Sequence, residues 1–283
     1  MTLISIKFQN DSKAENKLID LSSPKIMGIL NITPDSFFAK SRYNADIDLL
    51  IEKAAEMLKQ GATFIDIGGY STRPNAAEVS TNEEIDRVVP AIEAIVKNLP
   101  DAILSIDTFR SKVAQAAIHA GAAIINDIAG GNLDEFMFKT VAELNVPYIL
   151  MHSRGNPQTM SSLNQYDNLT LEIIHELNEK VLQLRLLGVK DIIIDPGFGF
   201  AKDSKQGFEL MKNLKTFDVM NMPILVGISR KSMIWRTLGV SADDALNGTT
   251  ALNMYALTQG AKILRVHDVK EANETLKLYE ELC

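Results

Sequence analysis

Short apolar segments recur along the chain, with room for one helix between neighbouring segments. Each is rich in β-branched residues, and we count eight: Ile26–Leu30, Thr63–Ile67, Ile103–Ile106, Ala123–Ile125, Tyr148–Met151, Ile192–Ile194, Ile224–Ile228 and Ile263–Val266. Between them, segments such as Asp46–Gln60 and Glu83–Lys97 place apolar residues at helical spacing. Nearly continuous apolar runs are typical of parallel strands that helices cover. The alternation therefore predicts an α/β protein with a parallel sheet.

A glycine marks the joint between helix and strand at four places. Gly61, Gly121, Gly188 and Gly260 each follow a helical pattern and precede an apolar run. Glycine suits the left-handed position that ends a helix. The repeated joint supports a chain built from successive βα units.

Eight strands with intervening helices predict a single (β/α)8 TIM barrel, with a doubly wound open sheet as the alternative. No linker rich in Pro, Gly and Ser interrupts the pattern, so residues 25–283 are predicted to form one barrel domain. Residues 1–24 are predicted to be an N-terminal extension. Within it, Leu3–Phe8 and Lys17–Leu21 are predicted to form a β-hairpin that closes the barrel bottom.

The charge balance excludes two classes of partner. The 283 residues carry 29 Lys+Arg and 36 Asp+Glu, a formal net charge of −7. Nucleic acid and anionic membranes require clustered positive charge, so neither is expected as a partner.

The only cysteine, Cys283, excludes an internal disulfide framework and any multi-Cys zinc site. No signal peptide and no apolar run of ~20 residues is found, so we expect a cytoplasmic protein.

Polar residues follow the apolar runs, where a barrel places its active site. Four of them are predicted to meet in the barrel mouth: Asp107, Asn126, Asp195 and Lys231. Carboxylates and an amide at this depth suit a flat heterocycle that carries ring N–H and amino donors. Met151 ends another strand and is predicted to contact the same ligand.

A second group is predicted to bind phosphate. It comprises Asn31, Arg73, Arg265 and His267, a set of cationic and amide side chains. Oxygen ligands nearby favour Mg²⁺ over zinc. The Gly-x-x-x-x-Gly-Lys-Ser/Thr pattern is absent from the sequence, which excludes a P-loop as the phosphate site.

Five motifs, in order along the chain, resemble those of the dihydropteroate synthase family. They are Met27-Gly-Ile-Leu-Asn-Ile-Thr-Pro-Asp-Ser-Phe37, Gly69-Tyr-Ser-Thr-Arg-Pro74, Asp195-Pro-Gly-Phe-Gly-Phe200, Ser229-Arg-Lys231 and Arg265-Val-His-Asp-Val269. The resemblance covers most of the chain. It departs at Tyr70, where the family commonly has Glu, and after Phe37, where it often continues Ser-Asp-Gly-Gly.

The resemblance implies a reaction and a set of roles. The family condenses 6-hydroxymethyl-7,8-dihydropterin diphosphate with 4-aminobenzoate, is inhibited by sulfonamides and is usually a homodimer. Carried over by motif, Asp107, Asn126, Asp195 and Lys231 would hold the pterin. Asn31, Arg265 and His267 would bind diphosphate, with Asn31 also a Mg²⁺ ligand. The aminobenzoate site would comprise Phe37, Thr72, Arg73, Pro74, Phe200 and Ser232. The groups predicted to act in catalysis are Asp107, Lys231, Arg265 and His267.

Three other functions are weighed against this one. They are a methyltetrahydrofolate-dependent methyltransferase, a non-catalytic pterin-binding homologue and an unrelated phosphosugar enzyme. The Ser71-Thr-Arg-Pro74 segment and the Arg265/His267 pair count against a methyltransferase, which needs no diphosphate site. Two other residues are given structural interpretations: His152 as a structural histidine bonded to backbone, and Lys202 as a solvated loop charge.

Overall fold

Strands and helices alternate along the part of the chain that the structure describes. This computed structural model describes residues 3–10, 13–32, 43–70, 79–156 and 158–283. The strands are β1 Leu3–Asn10, β2 Lys13–Asp20, β3 Lys25–Asn31, β4 Phe64–Gly68, β5 Ile103–Asp107, β6 Ile124–Asp127, β7 Tyr148–Met151, β8 Ile192–Asp195, β9 Leu225–Val226 and β10 Ile263–Val266. The helices are α1 Tyr43–Lys59, α2 Thr81–Asn98, α3 Ser111–His119, α4 Met137–Leu144, α5 Leu169–Leu186, α6 Ser204–Lys212, α7 Ser232–Leu238, α8 Leu246–Thr258 and α9 Val269–Glu280. Short 3₁₀ turns cover Met160–Ser162 and Leu214–Met220.

Eight parallel strands form a closed barrel. Their order is β8-β7-β6-β5-β4-β3-β10-β9, and a parallel bridge between Ile194 and Ile224 joins the two ends. The Ile194 N–H donates to the Pro223 carbonyl at 3.0 Å across this closure. The predicted TIM barrel is confirmed and the open sheet is excluded. The seventh barrel strand is shorter than predicted, because ladder pairing there is limited to Leu225 and Val226.

The N-terminal segment forms the predicted hairpin. Strands β1 and β2 pair antiparallel in register from Leu3 opposite Asp20 to Asn10 opposite Lys13, so both strands are longer than predicted. Ile4 and Ile19 are buried. They belong to the same apolar cluster as Met27, Phe64 and other residues that begin the barrel strands. The hairpin therefore closes the end of the barrel at which the strands start.

Local sequence signals set the helix ends. The Ser80 hydroxyl caps α2 by accepting from the Glu83 N–H at 3.2 Å, and Asp203 forms a capping box with Gln206 at the start of α6. The four glycines predicted to end helices have positive φ, between 88° and 116°. Among the described residues, no helix is long and apolar enough to cross a membrane.

Alternation along each strand divides the barrel into layers. Outward residues such as Ile65, Ile67 and Leu104 pack against the helices. Inward residues at the strand starts form the apolar layer that the hairpin covers. One pleat further along, five of the eight inward positions are polar, namely Asp66, Ser105, Asn126, Asp195 and Arg265. Because parallel strands end together, these polar side chains and the loops after them share one end of the barrel.

Candidate active site

Asp66 and Arg265 lie at the centre of the polar layer inside the barrel. The Arg265 Nε donates to Asp66 Oδ2 at 2.6 Å, and its Nη2 donates to Asp107 Oδ2 at 2.6 Å. The Asn126 Nδ2 donates to the same Asp66 Oδ2 at 2.9 Å. The Asp66 side chain is fully buried, and that of Arg265 is 19% exposed. Four strands thus meet in one charge-assisted network, as buried charges require.

Burial changes the acid–base behaviour of two carboxyl groups here. Desolvation raises the pKa of Asp107 to about 7, although the Arg265 guanidinium opposes the rise. Desolvation also raises the pKa of Asp195, opposed by Lys231 and by the Gly197 N–H, which donates to Asp195 Oδ1 at 2.7 Å. Asp107 can therefore gain or lose a proton near neutral pH.

Lys231 reaches the same mouth from the start of α7. Its ammonium donates to the Phe198 carbonyl and lies 4.3 Å from the Phe200 ring centroid. Burial lowers the pKa of Lys231 to about 8, against the attraction of Asp195. The lysine therefore ties the loop after β8 to the loop after β9, with a cation facing the buried Asp195.

A second buried network holds the loop after β8 in place. The Lys202 Nζ donates to the carbonyls of Gly197 at 3.0 Å and Phe200 at 2.9 Å, and lies 2.9 Å from His152 Nδ1. The His152 Nε2 lies 3.0 Å from Glu176 Oε2. Lys202 is only 8% exposed, so the interpretation of a solvated loop charge is wrong. The contacts agree with a structural role for His152, but its ring nitrogens bond to the Lys202 and Glu176 side chains and not, as predicted, to the backbone.

The buried His152 predicts a loss of stability in mild acid. Desolvation and the nearby Lys202 lower its pKa from 6.5 to about 4. Between these values the unfolded state binds more protons, so the free energy of unfolding falls as the pH decreases, by about 3 kcal/mol at most. Urea unfolding from about pH 7.5 to about pH 4.5 measures it. We expect His152→Gln to show a smaller fall than the wild type.

His175 provides the matched control for that experiment. Its side chain is 75% exposed and lies 3.7 Å from Glu179 on the same helix. His175→Gln should therefore keep the wild-type dependence on pH. An equal fall in the wild type and in His152→Gln would contradict the assignment.

The remaining predicted residues lie around the mouth or outside the described residues. Met151 is buried and is the register partner of Asp195. His267 is exposed, with its Nδ1 3.0 Å from Ser229 Oγ. Ser232 and Phe200 are half-buried. The predicted site residues outside the described part of the chain are Phe37, Thr72, Arg73 and Pro74.

Sequence reasoning missed Asp66. It lies within Thr63–Ile67, which the sequence pattern predicts as an apolar strand, yet it accepts hydrogen bonds from two predicted site residues. Strand alternation is the available signal, because Phe64, Asp66 and Gly68 share one face of β4. A lone carboxylate inside an otherwise apolar strand is costly unless it is bonded, and this marks it as a candidate.

The donor set for a metal ion is limited. Within the described residues, no group of three or more His, Cys, Asp or Glu side chains is placed to hold one. Asn31 ends β3, and its Oδ1 lies 3.4 Å from where a Cβ on Gly68 would be. Mg²⁺ commonly keeps several waters and takes substrate phosphates as ligands, so one protein oxygen is compatible with it.

Comparison with known proteins identifies the family. The family model described as "Pterin binding enzyme" matches residues 27–267. Over 269 residues the chain is 41% identical to the dihydropteroate synthase of Escherichia coli K12, covering 94% of each protein. The chain belongs to the dihydropteroate synthase family. The Clostridium beijerinckii dihydropteroate synthase is 44% identical over 256 residues, covering 89% of this chain and 92% of that one.

Solved dihydropteroate synthases share the fold. A Yersinia pestis dihydropteroate synthase in a sulfonamide drug complex matches with a TM-score of 0.87 and 39% identity, covering 98% of both chains. The Xanthomonas albilineans dihydropteroate synthase with 4-aminobenzoic acid matches with a TM-score of 0.86 and 32% identity, also over 98% of both. The resemblance in the motifs is confirmed, and the chain is a transferase of this family. These matches favour the dihydropteroate synthase over the methyltransferase and phosphosugar alternatives.

Proposed function

We propose that this protein condenses 6-hydroxymethyl-7,8-dihydropterin diphosphate with 4-aminobenzoate, giving 7,8-dihydropteroate and diphosphate for folate biosynthesis. The observation that most supports this proposal is the polar layer at the strand ends. There, one hydrogen-bonded network beside Asp195 joins Asp66, Asp107, Asn126 and Arg265. A chain 41% identical to a dihydropteroate synthase over 94% of its length supports the choice of reaction.

The pterin ring is proposed to lie against Asp107, Asn126, Asp195 and Lys231, with Met151 on the same wall. A pterin carries N–H and amino donors, which carboxylate and amide oxygens accept. Asp195 Oδ1 already accepts from the Gly197 N–H, so the second oxygen is proposed to serve the ligand. Lys231 balances the charge of that carboxylate.

The diphosphate is proposed to bind Asn31, Arg73, Arg265 and His267. A guanidinium has five N–H donors. The two that bind Asp66 and Asp107 fix the orientation of Arg265 and leave others for phosphate oxygens. Arg265 and His267 then stabilise the negative charge that develops on the diphosphate as the carbon–oxygen bond breaks.

Mg²⁺ is proposed to bind Asn31 together with the substrate phosphates. When bound, it would neutralise part of the diphosphate charge. The Asn31 amide oxygen and the diphosphate oxygens are hard donors, the kind that Mg²⁺ prefers.

The 4-aminobenzoate is proposed to lie between Phe37, Thr72, Arg73, Pro74, Phe200 and Ser232. Lys231 and Phe200, whose ring centroid is 4.3 Å from the lysine Nζ, would line the side facing the pterin. An arylamine is weakly basic and largely neutral at pH 7, so it attacks without a strong general base. The main task of the protein is then to align the amine with the pterin methylene and to exclude water.

The proposal also covers the oligomeric state, the location and the partners of the protein. From the family resemblance we propose a homodimer that acts in the cytoplasm on small molecules. The net charge of −7 supports the absence of nucleic-acid and membrane partners. Sedimentation of the purified protein measures the oligomeric state.

The proposed reaction is tested with purified protein, pterin diphosphate, 4-aminobenzoate and Mg²⁺. We expect dihydropteroate and diphosphate in equal amounts, only when all three components are present, with inhibition by a sulfonamide. Asp195→Asn, purified in parallel, controls for contaminating host enzyme, because it places an amide donor against a ring donor. Pterin binding without turnover would instead favour the methyltransferase or the non-catalytic homologue.

A further inference from the structure

We propose that Asp66 is a positioning residue: it fixes which atoms Asn126 and Arg265 present to the substrate. The proposal rests on the proposed function, since it assumes that these two residues contact the pterin diphosphate. It adds a carboxylate that would lie beneath the ligand and act through its neighbours.

The Asp66 side chain connects its own strand to two other strands of the barrel. It lies on β4, fully buried, with its carboxylate pointing into the barrel. One atom, Oδ2, accepts both the Asn126 Nδ2 from β6 and the Arg265 Nε from β10. A single anionic oxygen thus sets the orientation of two side chains from opposite sides.

The hydrogen bond from Asn126 to Asp66 determines which end of the Asn126 amide faces the substrate. An asparagine side chain has a donor end, Nδ2, and an acceptor end, Oδ1. Because Asp66 can only accept when ionised, it holds the donor end, and the acceptor end remains for the substrate. The site therefore favours a heterocycle that presents N–H or amino groups to Asn126, as a pterin does.

The bond to Arg265 sets the direction of its guanidinium. Asp66 takes the Nε and Asp107 takes Nη2, so two carboxylates bind one side of the planar group. The fork geometry of arginine then fixes the plane of the remaining donors. Removing Asp66 would leave Asp107 as the one remaining hydrogen-bond partner of the guanidinium among the described residues, and the plane of the group would be less tightly fixed.

The Asp66 carboxylate is only partly bonded inside the barrel. Within the described residues, Asp66 Oδ1 and Ser105 Oγ are buried and have no hydrogen-bond partner. The two residues are register partners on β4 and β5. An incompletely bonded carboxylate in a barrel interior costs free energy that an apolar residue would not, and such a cost is expected at functional positions.

Asp127, which lies on β6, is a matched control. It is also a fully buried aspartate. It accepts from the Tyr148 hydroxyl at 2.7 Å and from the N–H groups of Ala129 at 2.8 Å and Gly131 at 2.7 Å. All of these partners belong to the fold, so its loss should affect stability and leave recognition unchanged.

The experiment compares Asp66→Asn with Asp127→Asn in the full-length protein. Calorimetry measures the Kd of pterin diphosphate, steady-state kinetics measure the KM for each substrate, and urea unfolding measures stability. For Asp66→Asn we expect the Kd and KM of the pterin substrate to rise about 10-fold or more, because a neutral amide accepts more weakly and can turn a donor toward Asn126. The aminobenzoate substrate, tested at saturating pterin diphosphate, should show a KM changed by less than about 3-fold.

A double-mutant cycle tests whether Asp66 acts through Asn126. If it does, Asp66→Asn should weaken pterin binding less in an Asn126→Ala background than in the wild type. Asp127→Asn should lower the free energy of unfolding with the pterin Kd unchanged.

Each contrary outcome is distinct. Wild-type pterin affinity in a folded Asp66→Asn protein would overturn the proposal, as would an equal loss of affinity in Asp127→Asn. If Asp66→Asn does not fold, Asp66→Ser replaces it. Failure of both to fold would assign Asp66 to stability and also overturn it. A wild-type protein that neither binds nor converts pterin diphosphate would refute the proposed function itself.

Discussion

Arg265→Met is expected to lower the free energy of unfolding by about 3–5 kcal/mol near neutral pH, because it leaves buried carboxylates without their cation. Arg265 is the ion-pair partner of both Asp66 and Asp107 in the barrel interior. A methionine fills similar volume, so the loss comes from charge more than from packing. The variant should also lose most of its turnover, since the proposed diphosphate site loses a cation.

The loss in Arg265→Met should depend on pH. The pKa of Asp107 is about 7 with the arginine present, and Arg265 holds it down. Removal of the arginine raises that pKa further, so the carboxyl is neutral over a wider range and needs no cation there. The deficit should therefore be smaller at about pH 5.5 than at about pH 8, a direction that urea unfolding measures directly.

Lys270→Met is the control for this experiment. Lys270 and Glu274 form an exposed pair at 4.0 Å with both side chains more than half exposed. Its removal should change the free energy of unfolding by less than about 0.5 kcal/mol at either pH. If Arg265→Met proves as mild as Lys270→Met, the buried network does not need its cation.

Gly197→Ala is expected to destabilise the protein by about 3 kcal/mol and to reduce turnover. Gly197 has φ +73°, and a Cβ there would lie 2.0 Å from the His152 carbonyl oxygen. A left-handed conformation costs a residue with a side chain roughly 1–2 kcal/mol, and displacing backbone costs about as much again. Since the Gly197 N–H also binds Asp195, the shift should reach the proposed pterin site.

Gly188→Ala separates the cost of the left-handed backbone conformation from the cost of the contact with the His152 carbonyl. Gly188 has φ +88°, but a Cβ there would meet nothing within 4 Å. It should cost only about 1 kcal/mol, with turnover unchanged. Equal losses of stability in the two variants would show that backbone conformation, and not the contact with His152, accounts for the effect.

The periodic features of the fold could be predicted from the sequence. Apolar runs, helical spacing and helix-ending glycines report local preferences, and eight repeats leave few architectures open. The N-terminal hairpin followed from the same reasoning, although its strands extend beyond the predicted limits. The polar residues at the strand ends were found because parallel strands place all their carboxyl ends together.

The contacts among those residues were not predictable. Asp66 was hidden within an apolar run, and its importance lies in bonds to Asn126 and Arg265, which are 60 and 199 positions away in the sequence. Lys202 looked like a surface charge, because a sequence shows its charge but not the carbonyls and His152 that surround it.

The sequence by itself therefore determined the barrel, the family and most of the residues at its mouth. Only the tertiary structure decided which of them pair, which are buried and how far their pKa values move. Strand and helix preferences are set by neighbouring residues along the chain. Burial and electrostatic coupling depend instead on the distances between side chains on different strands, and these distances are fixed only when the barrel closes.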